Sequence, residues 1–385
     1  MFTKVKKIAL FTLPLVAAVS VLSAGEMSDR TKRLEDQMKD VRGNNPTGKA
    51  GAVTAPLSIN LEESCGWFFT VNALYWQPDI QNNSFAQSDA GASAHALPSV
   101  GEEYQAKYKW DWGFRLGAGK LFKHDNWALE AQYTWFDASA SSSVSAGSVG
   151  TVLPTRGTAQ IIGAPQIFEF CTEANAQGSL NYQSVDLTLS RAYYVSQELS
   201  FQPGWGLKAS FLNSKESVEY TGGNAVGDTA GLNGVVGSPG YPLGANVKVI
   251  DKSKFWSIGP KVGVDSTWHV AEGFSLFGNL SASLLYAGQD FNYKNTYSVD
   301  VDNNKIDVTM KYHQFVPTVD AFIGVRWDGY YSNNTQHVGV GLGWEVEYLW
   351  NAVQRGAYIR DDFSVMTTSK DLTMQGLTLD LRFDF

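Results

Sequence analysis

The chain has 385 residues, of which 13% are aromatic (12 Trp, 17 Tyr and 21 Phe), 37 are Gly and only 18% are charged, against roughly 25% charged in average soluble proteins. Mean hydropathy is -0.18, and past the first two dozen residues no stretch approaches the roughly 20 apolar residues of a helical membrane span, which excludes a helical transmembrane bundle. A formal charge of -8 and a pI near 5.2 give no electrostatic footprint for nucleic acid, and two Cys allow one disulfide at most and no four-Cys zinc centre.

Lys4, Lys6 and Lys7 precede an apolar core from Ile8 to Leu22, and Leu22-Ser23-Ala24 supplies small residues before Gly25. This reads as a cleaved secretory signal peptide over 1–24, with an uncleaved anchor as the alternative. Cleavage removes three Lys and no acid, taking the formal charge from -8 to -11. In the next segment, Met27, Thr31, Leu34, Met38 and Val41 fall on a heptad seam, so residues 25–42 are expected to form a lone amphipathic helix or a short coiled coil. Residues 43–65 read as a linker.

From Gly66 the period becomes two and holds, in pieces, to the end. Trp67, Phe69, Val71, Ala73 and Tyr75 oppose Thr70 and Asn72; Trp112, Phe114 and Leu116 oppose Arg115; Leu129, Ala131 and Tyr133 oppose Glu130. The alternation recurs with Asp186, with Lys208, with Lys261 and Asp265, with Ser281, with Asp320 and Arg326, with Glu345 and Glu347, and finally with Asp380, Arg382 and Asp384 on the polar face. A soluble sandwich also alternates, so the position of the aromatics decides. Trp67, Tyr75, Trp110, Trp135, Trp327 and Trp350 sit near the ends of apolar stripes, where a transmembrane barrel carries its aromatic girdle. Lys120 and Arg191 break the apolar face only at strand ends, and Gly339, Gly341 and Gly343 on the polar face are expected to leave room inside.

Short connections (Lys123 to Asn126, Ser196 to Glu198, Val270 to Gly273, Tyr331 to Thr335) alternate with long ones (Gln77 to Lys107, Asp137 to Ser179, Asn213 to Lys254, Gly288 to Met310, Asn351 to Lys370). The fold class is therefore all-β, an antiparallel transmembrane barrel over 66–385 with about 10 strands, range 10 to 16, short periplasmic turns and long external loops. TAQIIGAPQIFEF, within Asp137 to Ser179, is the stretch able to add a strand pair. Cys65 and Cys171 fall at opposite ends of this topology, too far apart for an internal bridge. Phe383 and the terminal Phe385 end an alternating strand, as expected of an assembly signal read by the barrel assembly machinery.

In GWFFTVNALYW, WDWGFRLGAGKLFKHDNWALEAQYTWF, WSIGPKVGVDSTWHVAEGFSLFGNLSASLLY and the terminal LTMQGLTLDLRFDF, the chain resembles the Legionella-type major outer membrane protein family, with relatives in chlamydia-like bacteria. The resemblance runs from about Gly66 to Phe385 and implies an abundant outer-membrane barrel with porin-like behaviour. It also implies disulfide support between envelope proteins, for which two Cys are few.

Catalytic signals are poor. His95 and His313, with Asp79, Asp290, Asp361 and Asp362, are candidates for an external rim, but solvated loop residues are the simpler reading. Asp300 to Asn304 spaces oxygen ligands without the Gly and final Glu of a calcium loop, and the strand glycines precede no helix, against a dinucleotide site. No enzyme, metal or cofactor is expected. The informative constellation is the inward charge set Arg115, Glu130, Asp186, Lys208, Lys261, Asp265, Asp320, Arg326, Glu345 and Glu347. These charges either border water and bias ion passage or pair across a narrow lumen and shut it. Two functions follow: porin-like passive diffusion of small hydrophilic solutes, or a non-conducting structural or host-contact surface protein acting through its external loops. Expected partners are outer-membrane lipid and the assembly machinery, with a homo-oligomer and a host ligand left open.

Overall fold

A computed structural model describes residues 66–89, 100–122, 126–146, 151–156, 160–161, 166–196, 198–227, 245–271, 273–297, 305–331, 336–359 and 364–385. The signal peptide, the heptad segment, the linker with Cys65, His95, Asp300 to Asn304, Asp361 and Asp362 lie outside these residues.

Ten strands form one ring: β1 (Trp67–Ile80), β2 (Asp111–Phe122), β3 (Trp127–Ser145), β4 (Glu173–Arg191), β5 (Leu199–Gly227), β6 (Ala245–Ala271), β7 (Phe274–Tyr297), β8 (Lys305–Tyr331), β9 (Gln336–Ile359) and β10 (Ser364–Asp384). Each pairs antiparallel with its chain neighbours, and β10 closes on β1 through the register Phe68↔Asp384 to Ile80↔Leu372. The seam is finished by Gly66 N donating to Phe385 O (3.1 Å) and Phe385 N donating to Trp67 O (2.9 Å). Closure leaves no free edge around the ring, the condition for strands in lipid. No described helix is long and apolar enough to cross a membrane; strands do the crossing.

The alternation reads out as expected in the lower part of the ring. Outward-facing Val262, Leu280 and Ile323 are 58%, 54% and 68% exposed, and a band of such residues matches lipid contact. On β6 this band runs from Trp268 to Trp256, both exposed; at about 3.4 Å per residue and a tilt of roughly 45° it rises about 29 Å, the thickness of a hydrocarbon core. Lys120 stacks over Trp67 (5.1 Å) and Arg191 over Trp127 (5.9 Å) at the short-turn end. Opposite them Tyr75 packs on Trp110 and Trp112, and Phe114 on Trp135. Trp327 lies beside Gly273 at a short turn, and Trp350 packs on Tyr348.

The strands do not stop at the second girdle, where the sequence reading ended them. β5 continues from Phe211 to Gly227 and β7 from Tyr286 to Tyr297, so most of the segments read as loops are strands. The reason is a phase inversion. Below the girdle the apolar residues of β5 point out (Trp205, Leu207, Phe211), whereas above it they point in (Leu212, Val218, Tyr220) and Asn213, Lys215 and Glu219 point out. The outside is water there, so apolar side chains turn to the interior as in a soluble protein. Broken periodicity resembles a loop, although the backbone ladder is unbroken. The candidate strand pair in TAQIIGAPQIFEF forms as Gln160–Ile161 and Gln166–Phe170, which extend the sheet from β5 and do not return across the membrane. β3 and β4 pair directly up to Ser145↔Glu173. Cys171 is a free, buried thiol at that long-loop end, next to Glu173; burial pushes its pKa up to about 12.

Candidate functional site: the charged lumen and its plug

The interior has two storeys. The lower one, inside the lipid-facing band, is built by the polar phase of each strand. Arg115 on β2 reaches Glu345 on β9 (2.8 Å), and Lys208 on β5 reaches Glu347 on β9 (2.7 Å) and Asp320 on β8 (3.1 Å). Lys261 pairs with Asp186 (2.8 Å) and Arg326 with Asp380 (2.6 Å). Tyr182 donates to Glu347, Thr378 to Glu345 (2.8 Å) and Ser281 to Asp320 (2.8 Å). At the short-turn mouth His337 places Nδ1 2.7 Å from Asp384 and Nε2 3.1 Å from Asp328, an arrangement both nitrogens satisfy when protonated.

All ten inward charges named from the sequence lie on the inner face, and eight of them belong to these ion pairs. The remaining two, Glu130 and Asp265, have no cation within 4.0 Å among the described residues; Thr70 and Gln132 donate to Glu130. The acidic excess that is free to act on an ion thus sits on Glu130 and Asp265. Glu345 and Glu347 are buried in pairs and do not border open water. Nor do the inner glycines leave open space. A Cβ at Gly339 would come 3.1 Å from Asp328, one at Gly341 would touch Asp380 and Phe277, one at Gly343 would meet the β8 backbone at Ile323, and the Phe68 ring fills the place beside Gly119.

The upper storey is filled by chain. Beyond Ile80 the segment between β1 and β2 enters the ring as the short strands Ser84–Asp89 and Glu103–Gln105, joined by Thr151–Pro154 into a three-stranded sheet. The β8–β9 ladder ends at Thr318↔Leu349, and the β9–β10 ladder breaks its register between Leu349 and Val353, where Asn351 has φ +54°. This bulge turns the outer part of β9 inward, until Gln354 N and Gly356 N reach the side chains of Ser253 (3.2 Å) and Asp251 (3.4 Å) on β6. Trp76, Phe85, Phe136, Tyr220, Phe291 and Tyr293 pack with these pieces into a dry core. Gly356 is required here: a Cβ would meet Tyr293 at 2.6 Å and Phe291 at 3.0 Å.

One buried ionic cluster ties plug to wall. Glu216 on β5 forms an ion pair with Arg355 (Nε at 2.8 Å) on the inserted part of β9 and accepts from Asn83 Nδ2 (2.8 Å) in the plug, while Arg355 Nε donates to Asn83 Oδ1 (3.0 Å). Arg156, after the third plug strand, reaches Asp251 (3.3 Å) and Asn83 Oδ1 (2.5 Å), and lies 3.7 Å from Glu216. Arg355 also donates to Ser214 (2.9 Å), and Tyr293 to Arg156 O (2.8 Å). The cluster lies above the second girdle, outside the membrane span. Burial pushes both carboxyls up: the guanidinium groups of Arg156 and Arg355 more than offset this for Glu216, whose pKa is net lowered, but only in part for Asp251, which stands at about 6.

None of these four charges was singled out from the sequence. The available signal was a charged residue in the apolar phase after inversion, as in Leu212, Ser214, Glu216, Val218 and Tyr220. His313 is corrected too: it points outward and stacks on Tyr286 (5.6 Å, 9°), because it falls in the outward phase of β8 at the girdle. Asp290 faces outward beside Lys311 (3.6 Å), and Asp79 is exposed. No group of three or more His, Cys, Asp or Glu able to hold a metal occurs among the described residues. Phe383 and Phe385 sit at the β10–β1 seam, Phe385 against Phe69 (6.3 Å).

No curated protein matches the chain. Among solved structures it is similar to the outer membrane protease OmpT of Escherichia coli, at 13% identity and TM-score 0.39, with 85% of this chain and 100% of that chain covered. It is also similar to a FadL homologue of Pseudomonas aeruginosa (10% identity, 83% and 90% covered, TM-score 0.25) and to the toluene transporter TodX of P. putida (7%, 83% and 90%, 0.24). The family model described as the Legionella pneumophila major outer membrane protein precursor matches residues 60–385, and with the ten-stranded lipid-banded ring this places the chain in that family of outer-membrane proteins.

Proposed function

We propose that the protein gives porin-like passage to small hydrophilic solutes through a lumen that its plug keeps shut at rest. The observation that carries this reading is the short-turn part of the lower storey, where Glu130 and Asp265 have no cation within 4.0 Å among the described residues; the pairs further in help to hold the same lumen shut at rest. A barrel serving only as an anchor gains nothing from ion pairs that cost several kcal/mol per ion to desolvate, and apolar packing of similar volume is often as stable or more so. Arg326 and Arg382 remain about a fifth to a quarter exposed (24% and 22%), which supports water entering from the short-turn mouth. With that mouth periplasmic, the usual asymmetry of turns and loops, a solute meets a polar vestibule first and the plug second.

The non-conducting surface role is the second reading, favoured by the dry core of the upper storey, which makes a stiff projection beyond the membrane. At ten strands the ring is also near the size that side chains fill, whereas open channels are typical of about 16. Single-channel recording of the purified full chain in a planar bilayer tests the choice. Brief, rare openings support a plugged porin. Silence that persists in variants with a broken Glu216–Arg355 pair assigns the protein to the surface role. Its enzymatic inactivity is part of the same proposal: the hydroxyls and acids that meet in the described lumen, Ser281 with Asp320 and Tyr182 with Glu347, are engaged with Lys208 in ion pairs.

A further inference from the structure

Above the second girdle the outer wall carries a basic face on β5 and β6. Lys215 on β5 and Lys252 and Lys254 on β6 are exposed and outward, and Lys215 lies directly opposite Lys252 in the ladder. Like charges directly opposite destabilise a sheet unless something neutralises them. Their neighbours are neutralised: Lys248 pairs with Glu219 (4.0 Å) and Lys311 with Asp290 (3.6 Å). Among the described residues, no carboxylate lies within 4.0 Å of Lys215, Lys252 or Lys254; Asp290, opposite Lys254 in the β6–β7 ladder, turns to Lys311 instead. At the same heights the outward positions on β3 and β4 are Asp137, Asn181, Ser139 and Ser179; the exposed Lys107 and Lys109 border β3, so the three lysines of β5 and β6 are the larger of two basic patches at this level among the described residues.

Height identifies the missing anion. Lys254 is two residues beyond Trp256, whose ring faces lipid, and Lys252 is two further; with strand tilt these steps rise about 5 and 10 Å above the girdle. The headgroup layer occupies roughly 5–8 Å on each side of the hydrocarbon. Lys254 therefore stands where a membrane carries its phosphates, and the flexible side chains of Lys215 and Lys252, whose backbone lies just above that layer, reach down to it.

We propose that the β5–β6 face binds the phosphate groups of a glycolipid in the outer leaflet, with Lys215, Lys252 and Lys254 as the donors. This rests on the reading that the long-loop end faces outward. Lysine suits the task as a compact point charge with three donors. The test uses the full chain in detergent, titrated with diphosphoryl lipid A or with the same lipid after removal of its phosphates, and read by native mass spectrometry. The wild type should retain the phosphorylated lipid in preference. The triple variant Lys215→Gln, Lys252→Gln, Lys254→Gln should lose that preference on the order of 100-fold, at about fivefold per charge. Lys248→Gln should leave it unchanged. Equal retention of both lipids by the wild type, or an undiminished preference in the triple variant, overturns the site. Labelling of Ser217→Cys on intact cells reads the orientation separately: labelled cells without phosphate-dependent retention overturn this proposal alone, and unlabelled cells overturn the outward orientation and the glycolipid with it.

Discussion

Replacing Glu216 by Gln removes one carboxylate from a buried cluster of two guanidiniums and two acids while preserving its shape. In the wild type that carboxylate holds Arg355 at 2.8 Å and Asn83 at 2.8 Å, and it is 2% exposed. Breaking a buried pair by removing one partner costs about 3–5 kcal/mol, because the charge left behind stays desolvated. Here the cost falls on the plugged state. Asn83 and Arg156 belong to the plug and Arg355 to the inturned part of β9, so withdrawal of these pieces returns them to water, whereas the lower ring keeps its ladders. At about 1.4 kcal/mol per tenfold, the ratio of unplugged to plugged barrels should rise roughly 100- to 3000-fold. Two measurements check this on folded protein, defined by its heat-modifiable mobility: open probability in planar bilayers, and the rate at which a protease cuts between residues 81 and 110. Asn83→Ala, which removes uncharged partners of the same cluster, should move both in the same direction by a smaller amount. A folded Glu216→Gln barrel with wild-type protection of that segment would refute the assignment of the cluster as the tie between plug and wall.

Three further outcomes follow. Asp251 has a folded pKa raised to about 6, so the folded plug binds a proton that the unfolded chain releases, and stability of the upper storey should rise as pH falls from 7.5 through 6. Glu216, with its lowered pKa, supplies stability that is present above the ordinary carboxylate range and lost at lower pH, so protection should peak between about pH 4 and 6; Asp251→Asn should flatten only the upper limb of protease protection against pH. Leu187→Arg or Leu280→Arg, both outward and 41% and 54% exposed, should cost about 2–4 kcal/mol of folding into bilayers when placed near mid-membrane; Ser281→Arg faces Asp320 in the lumen and should cost less, and equal losses from both faces would contradict the assigned alternation. In openings of the unplugged barrel, Glu130→Gln with Asp265→Asn should lower cation preference measured as a reversal potential across a salt gradient, because these two acids lack cationic partners; Glu345→Gln with Glu347→Gln should instead shift selectivity toward anions by leaving Arg115 unpaired and Lys208 with Asp320 alone.

The sequence by itself determined the lower ring. In lipid every backbone group must be paired and every outward side chain must be apolar, so Trp67 to Tyr75 or Leu377 to Phe385 had to alternate visibly, and the short turns gave the strand number. The inward placement of Arg115, Lys208 and Glu345 followed from the same period. The tertiary structure alone decided their partners, because Arg115 and Glu345 are 230 residues apart and alternation reports a face without reporting what stands across it. It also decided the upper storey. Past Phe211 and Trp256 the outside solvent changes from lipid to water, the apolar phase shifts by one residue, and strands took on the appearance of loops. Whether those segments close the lumen depended on a bulge at Asn351 and on four buried charges from four distant parts of the chain, and no local pattern in any one of them encodes that meeting.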